Sequence, residues 1–219
     1  MRHATLAARR PLPRERRDDG GTSILCAVDV EAVQVFTSLL ALGAAALAVA
    51  LVAGWLRRGR SAMVDGLLVA VSDAALWIAV LVAGIATAGS LYFSEVADFT
   101  PCRLCWFQRI AMYPLAVILL VAAIRRDRDV QWYAVPIAAV GACISLYHYL
   151  VEWNPDLEVG NACAASGLSC SAVWFREFGF VTLSFMALCG FAAVIVLTLV
   201  GTRVAAEREL NAPTERLEP

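Results

Sequence analysis

The sequence is poor in charged residues and contains no lysine. Charged residues make up 17% of the 219 positions, all 18 basic residues are arginine, and 60% of the chain is hydrophobic. With a mean hydropathy of +0.69, this composition excludes an ordinary soluble domain and indicates an integral membrane protein. The net charge is only -1 and the arginines lie at the ends of apolar runs, which argues against a DNA or RNA partner.

Apolar runs of membrane-spanning length recur five times along the chain. A hydrocarbon core of about 30 Å requires about 20 residues of helix. The runs occupy residues 33–56, 67–93, 106–124, 132–151 and 178–200. The first run is too long for a signal-peptide core and lacks a small-residue cleavage site, so we interpret it as a spanning helix. The sequence therefore predicts an all-α integral membrane protein.

Polar segments set the domain boundaries. We expect a disordered Arg-rich tail at 1–31, an additional N-terminal transmembrane helix with its cytoplasmic turn at 32–60, a four-helix domain at 66–202 that includes an outward loop at 152–177, and a cytoplasmic tail at 203–219. This division makes the protein a four-helix transmembrane bundle with one extra helix.

Arginine clusters predict the orientation of the bundle. The clusters at 57–60, 125–128 and 203–208 should face the cytoplasm, which places loop 152–177 on the opposite side. A spanning first run would then leave the Arg-rich tail outside, against the same bias. There are two alternatives to this arrangement. The first run could lie along the cytoplasmic face, or the start codon could be assigned too early.

The motif Cys102-Arg-Leu-Cys105 lies where an exposed turn meets the third run. We expect Thr100 to cap the helix and Pro101 to be its first residue, so that the two thiols share one face of the first turn. The helix N-terminus favours a thiolate there, and Arg109 adds a positive charge one turn deeper. Alternatively, the two cysteines could be two of the ligands of a zinc site or could form a structural disulfide. The Arg109 side chain could instead extend to the membrane interface.

A second cysteine pair, Cys163 and Cys170, lies in the outward loop and is separated by six mostly small residues. A static disulfide is one interpretation of this pair. Two dithiols on one face of the membrane can also exchange a disulfide with each other, because a thiolate attacks a disulfide through a mixed intermediate. Cys143 and Cys189 lie within apolar runs and are expected to act as small hydrophobic residues.

The segment around the first pair resembles a known family. Residues 101–110 read PCRLCWFQRI, Tyr147-His148 ends the next run, the Cys163/Cys170 loop follows, and Phe178-Gly-Phe-Val-Thr opens the last run. In motif, spacing and order this resembles the disulfide bond formation protein B family, DsbB, with its BdbC relatives. The resemblance covers residues 75 to 200, across four helices.

The resemblance implies a function and a location. The family is a four-helix membrane bundle that reoxidises a thioredoxin-fold, DsbA-like partner and passes the electrons to a membrane quinone, menaquinone or ubiquinone. It implies a quinone-dependent thiol oxidoreductase in the bacterial cytoplasmic membrane, with both cysteine pairs on the extracytoplasmic face and no metal.

Residue roles follow from the resemblance by position. The partner's thiolate would attack Cys163, and Cys170 would then attack Cys102. Cys105 would face the quinone, with Arg109 stabilising negative charge beside it. By the same resemblance His148 would lie near the quinone, and an interface histidine in an aromatic belt is the alternative interpretation of that residue.

Some features depart from the family pattern. The first run exceeds the four-helix plan, Gln108 stands where some relatives carry an acidic residue, and Ser184 replaces an expected proline. An enzyme like vitamin K epoxide reductase is an alternative, but its loop cysteines precede the helix motif. A second alternative is a zinc protein that uses the four cysteines as ligands, although the Cys-x6-Cys spacing of one ligand pair would be unusually wide. A third alternative is a non-catalytic scaffold with two static disulfides.

Overall fold

The computed structural model describes residues 30–127, 129–158 and 169–211. Five helices account for most of these residues: α1 Val30–Leu56, α2 Ala62–Glu95, α3 Arg103–Arg125, α4 Gln131–Trp153 and α5 Leu183–Asn211. All five are long and apolar enough to cross a membrane, which confirms the predicted all-α membrane architecture with an added N-terminal helix. Most of the predicted tail 1–31, Cys163 and residues 212–219 lie outside the described residues.

Helices α2 to α5 form a closed ring. Each of the four packs against two neighbours in the order α2, α3, α4, α5, and α5 returns to α2. Helix α1 lies outside this ring and packs mainly on α5, with fewer contacts to α2. The four-helix unit and the additional helix are therefore distinct layers of one bundle.

Small residues let the ring helices approach closely. Ala75, Ala79 and Ala83 recur every four residues on α2 and are fully buried. A Cβ atom added to Gly201 of α5 would lie 2.8 Å from Ala75 Cβ, which is closer than carbon atoms can pack. On α4, a Cβ at Gly141 would lie 2.3 Å from the ring of Phe191. Within a membrane, burying apolar surface contributes little to helix association because the lipid is equally apolar. Close packing of this kind therefore holds the helices together.

Polar contacts mark one end of the bundle. Arg58 forms an ion pair with Glu207 at 2.5 Å, and Arg208 one with Asp73 at 2.6 Å. The arginines that follow α1 and those near the end of α5 therefore lie at the same end, as the charge pattern predicts. The cysteine motif at the start of α3 lies at the other end. There the Ser38 hydroxyl of α1 lies 3.7 Å from Met186 Sδ of α5, so α1 runs along most of the bundle.

The start of α3 differs from the prediction. Cys102, not Thr100, is the N-cap: its backbone is extended, and its sulfur accepts a hydrogen bond from the Cys105 N–H at 3.4 Å. The helix begins at Arg103, so Pro101 precedes the cap and is not the first helical residue. The error arose because a cysteine sulfur, a weak acceptor, here takes the role usually filled by Ser, Thr, Asp or Asn.

Both ends of α5 also differ from the prediction. The helix begins at Leu183 because Phe178 and Gly179 have positive φ values of 51° and 81° and form a turn closed by the Glu177–Val181 bridge. The Thr182 hydroxyl then accepts from the Phe185 N–H. At the other end the helix continues to Asn211, beyond the apolar run at 178–200 and into the segment predicted as a cytoplasmic tail, where ion pairs to α1 and α2 hold it.

Replacing Gly141 with alanine should destabilise the bundle. The new methyl group would collide with the fully buried Phe191 ring, and overpacking of this kind costs about 1–3 kcal/mol. Gly84→Ala is the matched control, because nothing lies within 4 Å of a Cβ at that position and alanine is the better helix former. Thermal unfolding in detergent should show a lower midpoint for Gly141→Ala and no decrease for Gly84→Ala. Equal midpoints would contradict the packing described.

Candidate active site

The first cysteine pair lies at the mouth of α3. Because Cys102 is the N-cap and Cys105 is three residues on, the two side chains share one face of the first turn. Their sulfur atoms are 3.1 Å apart. Cys102 is buried with 5% of its surface exposed, whereas Cys105 is partly exposed. The pair is therefore close enough to form a disulfide, and its two members face different surroundings.

Cys170 packs directly behind this pair. It is fully buried and belongs to one cluster with Cys102 and Val151, against which Cys105 also packs. His148 Nε2, near the end of α4, lies 3.6 Å from the Cys102 sulfur and 3.2 Å from the carbonyl oxygen of Cys170. Three of the four cysteines singled out in the sequence, and His148, thus come together at one end of the bundle. Cys163 lies outside the described residues.

A buried polar chain continues from His148. Gln108 Nε2 lies 3.3 Å from His148 Nδ1, and Glu152 Oε1 lies 3.8 Å from His148 Nε2. The Thr182 hydroxyl donates to Glu152 Oε2 at 2.6 Å and lies 2.9 Å from the hydroxyl of Ser184. The sequence analysis missed Glu152. Glu152 follows His148 by one helical turn, at the end of an apolar spanning helix. This spacing is the signal by which the sequence could have identified it.

Arg109 turns into the bundle. It is 9% exposed, and its guanidinium donates to the backbone oxygen of Ser90 on α2 at 3.0 Å. The guanidinium carbon also lies 5.2 Å from the centre of the Trp106 ring, a cation–π distance. These contacts fix a positive charge within the bundle, one turn below Cys105.

A cavity of about 410 Å³ opens beside Cys105. Residues from α1, α2, α3 and α5, from the connection between α2 and α3, and Trp174 line it. Its polar lining side chains, apart from Thr37 of α1, cluster where α3 meets α2: Ser90, Thr100, Cys105, Gln108, Arg109 and Tyr113. An apolar cleft of this size with a few convergent polar groups is the form taken by small-molecule sites.

Three stacked aromatic rings border the cavity on the cysteine side. The Phe99 ring lies 4.8 Å from the Trp174 ring, at 5° between their planes. On its other side, Phe99 stacks with Phe93 at 5.6 Å and 8°. All three residues line the cavity. The connection between α2 and α3 and the segment before α5 are thereby packed together over the site.

The same residues also form a group that could hold a metal ion. The ligand atoms of Cys102, Cys105 and His148 all lie within 4.8 Å of one another, which is the grouping a zinc ion would need. Two thiolates on one tetrahedral zinc, at Zn–S distances of about 2.3 Å, would stand about 3.8 Å apart. The observed sulfur separation is 3.1 Å, so zinc binding would require the two sulfurs to move apart, whereas disulfide formation would bring them closer.

Cys143 and Cys189 stand apart from this group. Cys143 is exposed on the surface of α4, and Cys189 is buried within α5. Neither lines the cavity or belongs to the Cys102 cluster in the described part of the chain. The burial of Cys189 is in keeping with a small hydrophobic residue, and for Cys143 that role stays a prediction.

A helical membrane bundle with a close cysteine pair at one end, a third cysteine behind it and a cavity beside it defines a class of membrane protein that handles disulfide bonds. The comparison with protein families identifies the same class. The family model described as "Disulfide bond formation protein DsbB" matches residues 72–205, and the chain belongs to the DsbB family. Helix α1 lies outside the matched residues.

Named relatives agree with this assignment. The chain is 46% identical over 121 residues to "Disulfide bond formation protein C" of Bacillus subtilis, covering 55% of this chain and 87% of the relative. It is 45% identical over 116 residues to "Probable disulfide formation protein C 1" of Bacillus anthracis, covering 53% and 83%. A "Probable disulfide formation protein" of Coxiella burnetii is 41% identical over 123 residues, covering 56% and 82%. No solved structure matches the chain.

Family membership confirms that the protein acts in disulfide bond formation at a membrane. The match therefore favours the DsbB family over an enzyme like vitamin K epoxide reductase, which the sequence had left as an alternative. The individual roles predicted for Cys102, Cys105, Cys170, Arg109 and His148 stay predictions, although the geometry brings these residues to one end of the bundle.

The reduced Cys102 thiol should resist ionisation. Its hydrogen bond to Cys105, together with burial, raises the pKa of Cys102 to about 12. Alkylation of Cys102 by iodoacetamide, followed by mass spectrometry of the reduced protein, should therefore become faster with pH up to about 10 without a plateau. The alkylation rate of glutathione, treated in parallel, should approach its plateau at a lower pH. A plateau for Cys102 near an ordinary thiol pKa of about 8.5 would contradict this prediction.

Proposed function

We propose that this protein reoxidises an extracytoplasmic thioredoxin-fold, DsbA-like dithiol partner and passes the electrons to a membrane quinone, menaquinone or ubiquinone. The observation that carries the proposal is the unequal setting of the two sulfurs at the start of α3. Cys102 is buried against Cys170, and Cys105 lines the cavity. One member of the pair thus faces the source of electrons and the other faces space for an acceptor.

The thiol side of the reaction is two exchanges. The partner's thiolate attacks Cys163 in the Cys163–Cys170 disulfide, and a second partner thiol closes the partner's disulfide and leaves Cys163 and Cys170 reduced. Cys170 then attacks Cys102 in the Cys102–Cys105 disulfide, and Cys163 closes the loop disulfide again. Two electrons and two protons have then moved from the partner to the helix pair. The shared cluster of Cys102 and Cys170 supports the second exchange.

The acceptor side begins at Cys105. A bound quinone supplies the chemistry of accepting two electrons and two protons to become a quinol. The residues around the cavity fit such a molecule, because apolar walls suit a lipid-soluble ring and the polar groups converge near Cys105. Arg109 holds a positive charge one turn from this sulfur and stabilises negative charge there. Loss of the electrons re-forms the Cys102–Cys105 disulfide.

His148 and Glu152 form the polar group beside Cys102. The Gln108 amide nitrogen faces His148 Nδ1, so Nε2 is the ring nitrogen that carries hydrogen, and it lies 3.6 Å from the Cys102 sulfur and 3.2 Å from the Cys170 carbonyl oxygen. This N–H would donate to a thiolate formed at Cys102 during exchange, and the Glu152 carboxylate lies 3.8 Å from the same nitrogen. Thr182, which donates to the other carboxylate oxygen, holds Glu152 in this orientation. Glu152 thus positions and balances His148 without contacting a sulfur.

The orientation in the membrane belongs to the same proposal. Arginines 57–60 and 203–208 lie together at the end away from the cysteines, and positive residues favour the cytoplasmic side. The cysteine end then faces outward, where secreted proteins acquire disulfides. The first helix would begin on that outward side.

Cys105→Ser should abolish quinone reduction, because serine at this position forms no disulfide with Cys102. The measurement is the loss of decylubiquinone absorbance when a reduced DsbA-type protein is added to the purified enzyme in detergent. Cys143→Ser is the matched control, since Cys143 lies on the outer surface of α4 and should retain wild-type turnover. Normal turnover by Cys105→Ser would refute its role beside the acceptor.

Cys170→Ala should prevent capture of the partner. The replacement removes the Cys163–Cys170 disulfide that the partner's thiolate attacks. With a DsbA-type partner that keeps only its attacking cysteine and so cannot resolve the mixed disulfide, non-reducing gel electrophoresis should show a covalent complex with the wild type that disappears with dithiothreitol, and little or none with Cys170→Ala. An equal yield of complex with the variant, still folded by its melting curve, would contradict the order of exchanges.

A further inference from the structure

Helix α1 lines the cavity even though it lies outside the residues that match the family. Its lining residues recur over three turns of the helix: Thr37, Leu39, Leu40, Ala41, Gly43, Ala44 and Leu47. Thr37 is the one polar side chain among them. The helix that the four-helix plan does not account for therefore supplies about a quarter of the residues around the candidate acceptor site.

Contacts at both ends hold α1 in this position. At the cysteine end, Ser38 is fully buried against Met186 of α5, and a Cβ at Gly89 of α2 would touch Thr37 Cγ2 at 4.0 Å. At the other end, a Cβ at Gly54 would lie 3.5 Å from Leu68 of α2. Between these contacts the cavity separates α1 from α2. Helix α1 therefore bridges the side of the cavity between α2 and α5 and does not fill it.

The cavity has two chemically different sides. The α3 side presents Cys105, Gln108 and Arg109, whereas the α1 side presents, apart from Thr37 at the cysteine end, aliphatic side chains and a glycine. A lipid-soluble quinone has the same division between a polar ring and a hydrocarbon tail. A ring placed against α3 would direct its tail along α1.

We propose that α1 is the tail-binding wall of the quinone site, and that Gly43 leaves the space the tail occupies. The inference rests on the proposed function and extends it to a helix outside the family match. Nothing lies within 4 Å of a Cβ atom at Gly43, although the residue lines the cavity. A larger side chain there would meet no neighbour at its Cβ atom and would stand at the wall of the cavity.

A graded series at Gly43 tests this wall. Gly43→Ala, Gly43→Leu and Gly43→Phe fill the space progressively, and Gly84→Leu and Gly84→Phe are matched controls on α2. Gly84 has equally open surroundings but is not among the residues that line the cavity. Binding of decylubiquinone is measured by quenching of tryptophan fluorescence, since Trp174 lines the cavity and Trp106 adjoins Arg109. Disulfide exchange with dithiothreitol and the melting midpoint are measured alongside.

The expected result is a Kd for decylubiquinone that rises from alanine to phenylalanine, reaching roughly tenfold or more above the wild type. Exchange with dithiothreitol and the melting midpoint should stay at wild-type values, and both Gly84 variants should bind normally. Wild-type affinity in Gly43→Phe would overturn the inference and leave the proposed function standing. No quenching of the wild-type protein by decylubiquinone would overturn both.

Discussion

The hydrogen bond from the Cys105 N–H to the Cys102 sulfur is the contact on which the rest of the site depends. It starts α3 at a cysteine and so brings the two sulfurs within 3.1 Å on one face of the first turn. With the pair fixed there, Cys102 meets Cys170 and His148, while Cys105 and Arg109 reach the cavity. A different helix start would rotate both thiols and separate the two halves of the site. The closed ring of α2 to α5 provides the rigid frame for this turn.

The sequence was a sound guide to the helices and to the residues that carry chemistry. Run length and hydropathy predicted five spanning helices, because a bilayer imposes a length that soluble folds do not. The motif at 101–110 predicted the family, which the match over residues 72–205 confirms. Helix ends were less predictable. The start of α3 depends on a sulfur as cap, and the start of α5 on the positive φ values of Phe178 and Gly179.

Features that depend on contacts between distant segments could not be predicted from the sequence. Glu152 reads as the polar end of an apolar run until its carboxylate is found between His148 and Thr182. The inward turn of Arg109 depends on a backbone oxygen of α2 that no local pattern specifies. Likewise, hydropathy identifies α1 as a helix, but only packing against α5 places Gly43 on a cavity.

The stacked rings of Phe93, Phe99 and Trp174 have a consequence for the proposed reaction. They border the cavity at the cysteine end, so under that proposal a dithiol arriving from water would meet aromatic carbon before it reached an acceptor in the cavity. The electrons would then pass through the cysteines, and direct transfer from partner to acceptor would be blocked. The partner and the acceptor would in that case reach the protein by separate routes, one aqueous and one within the lipid.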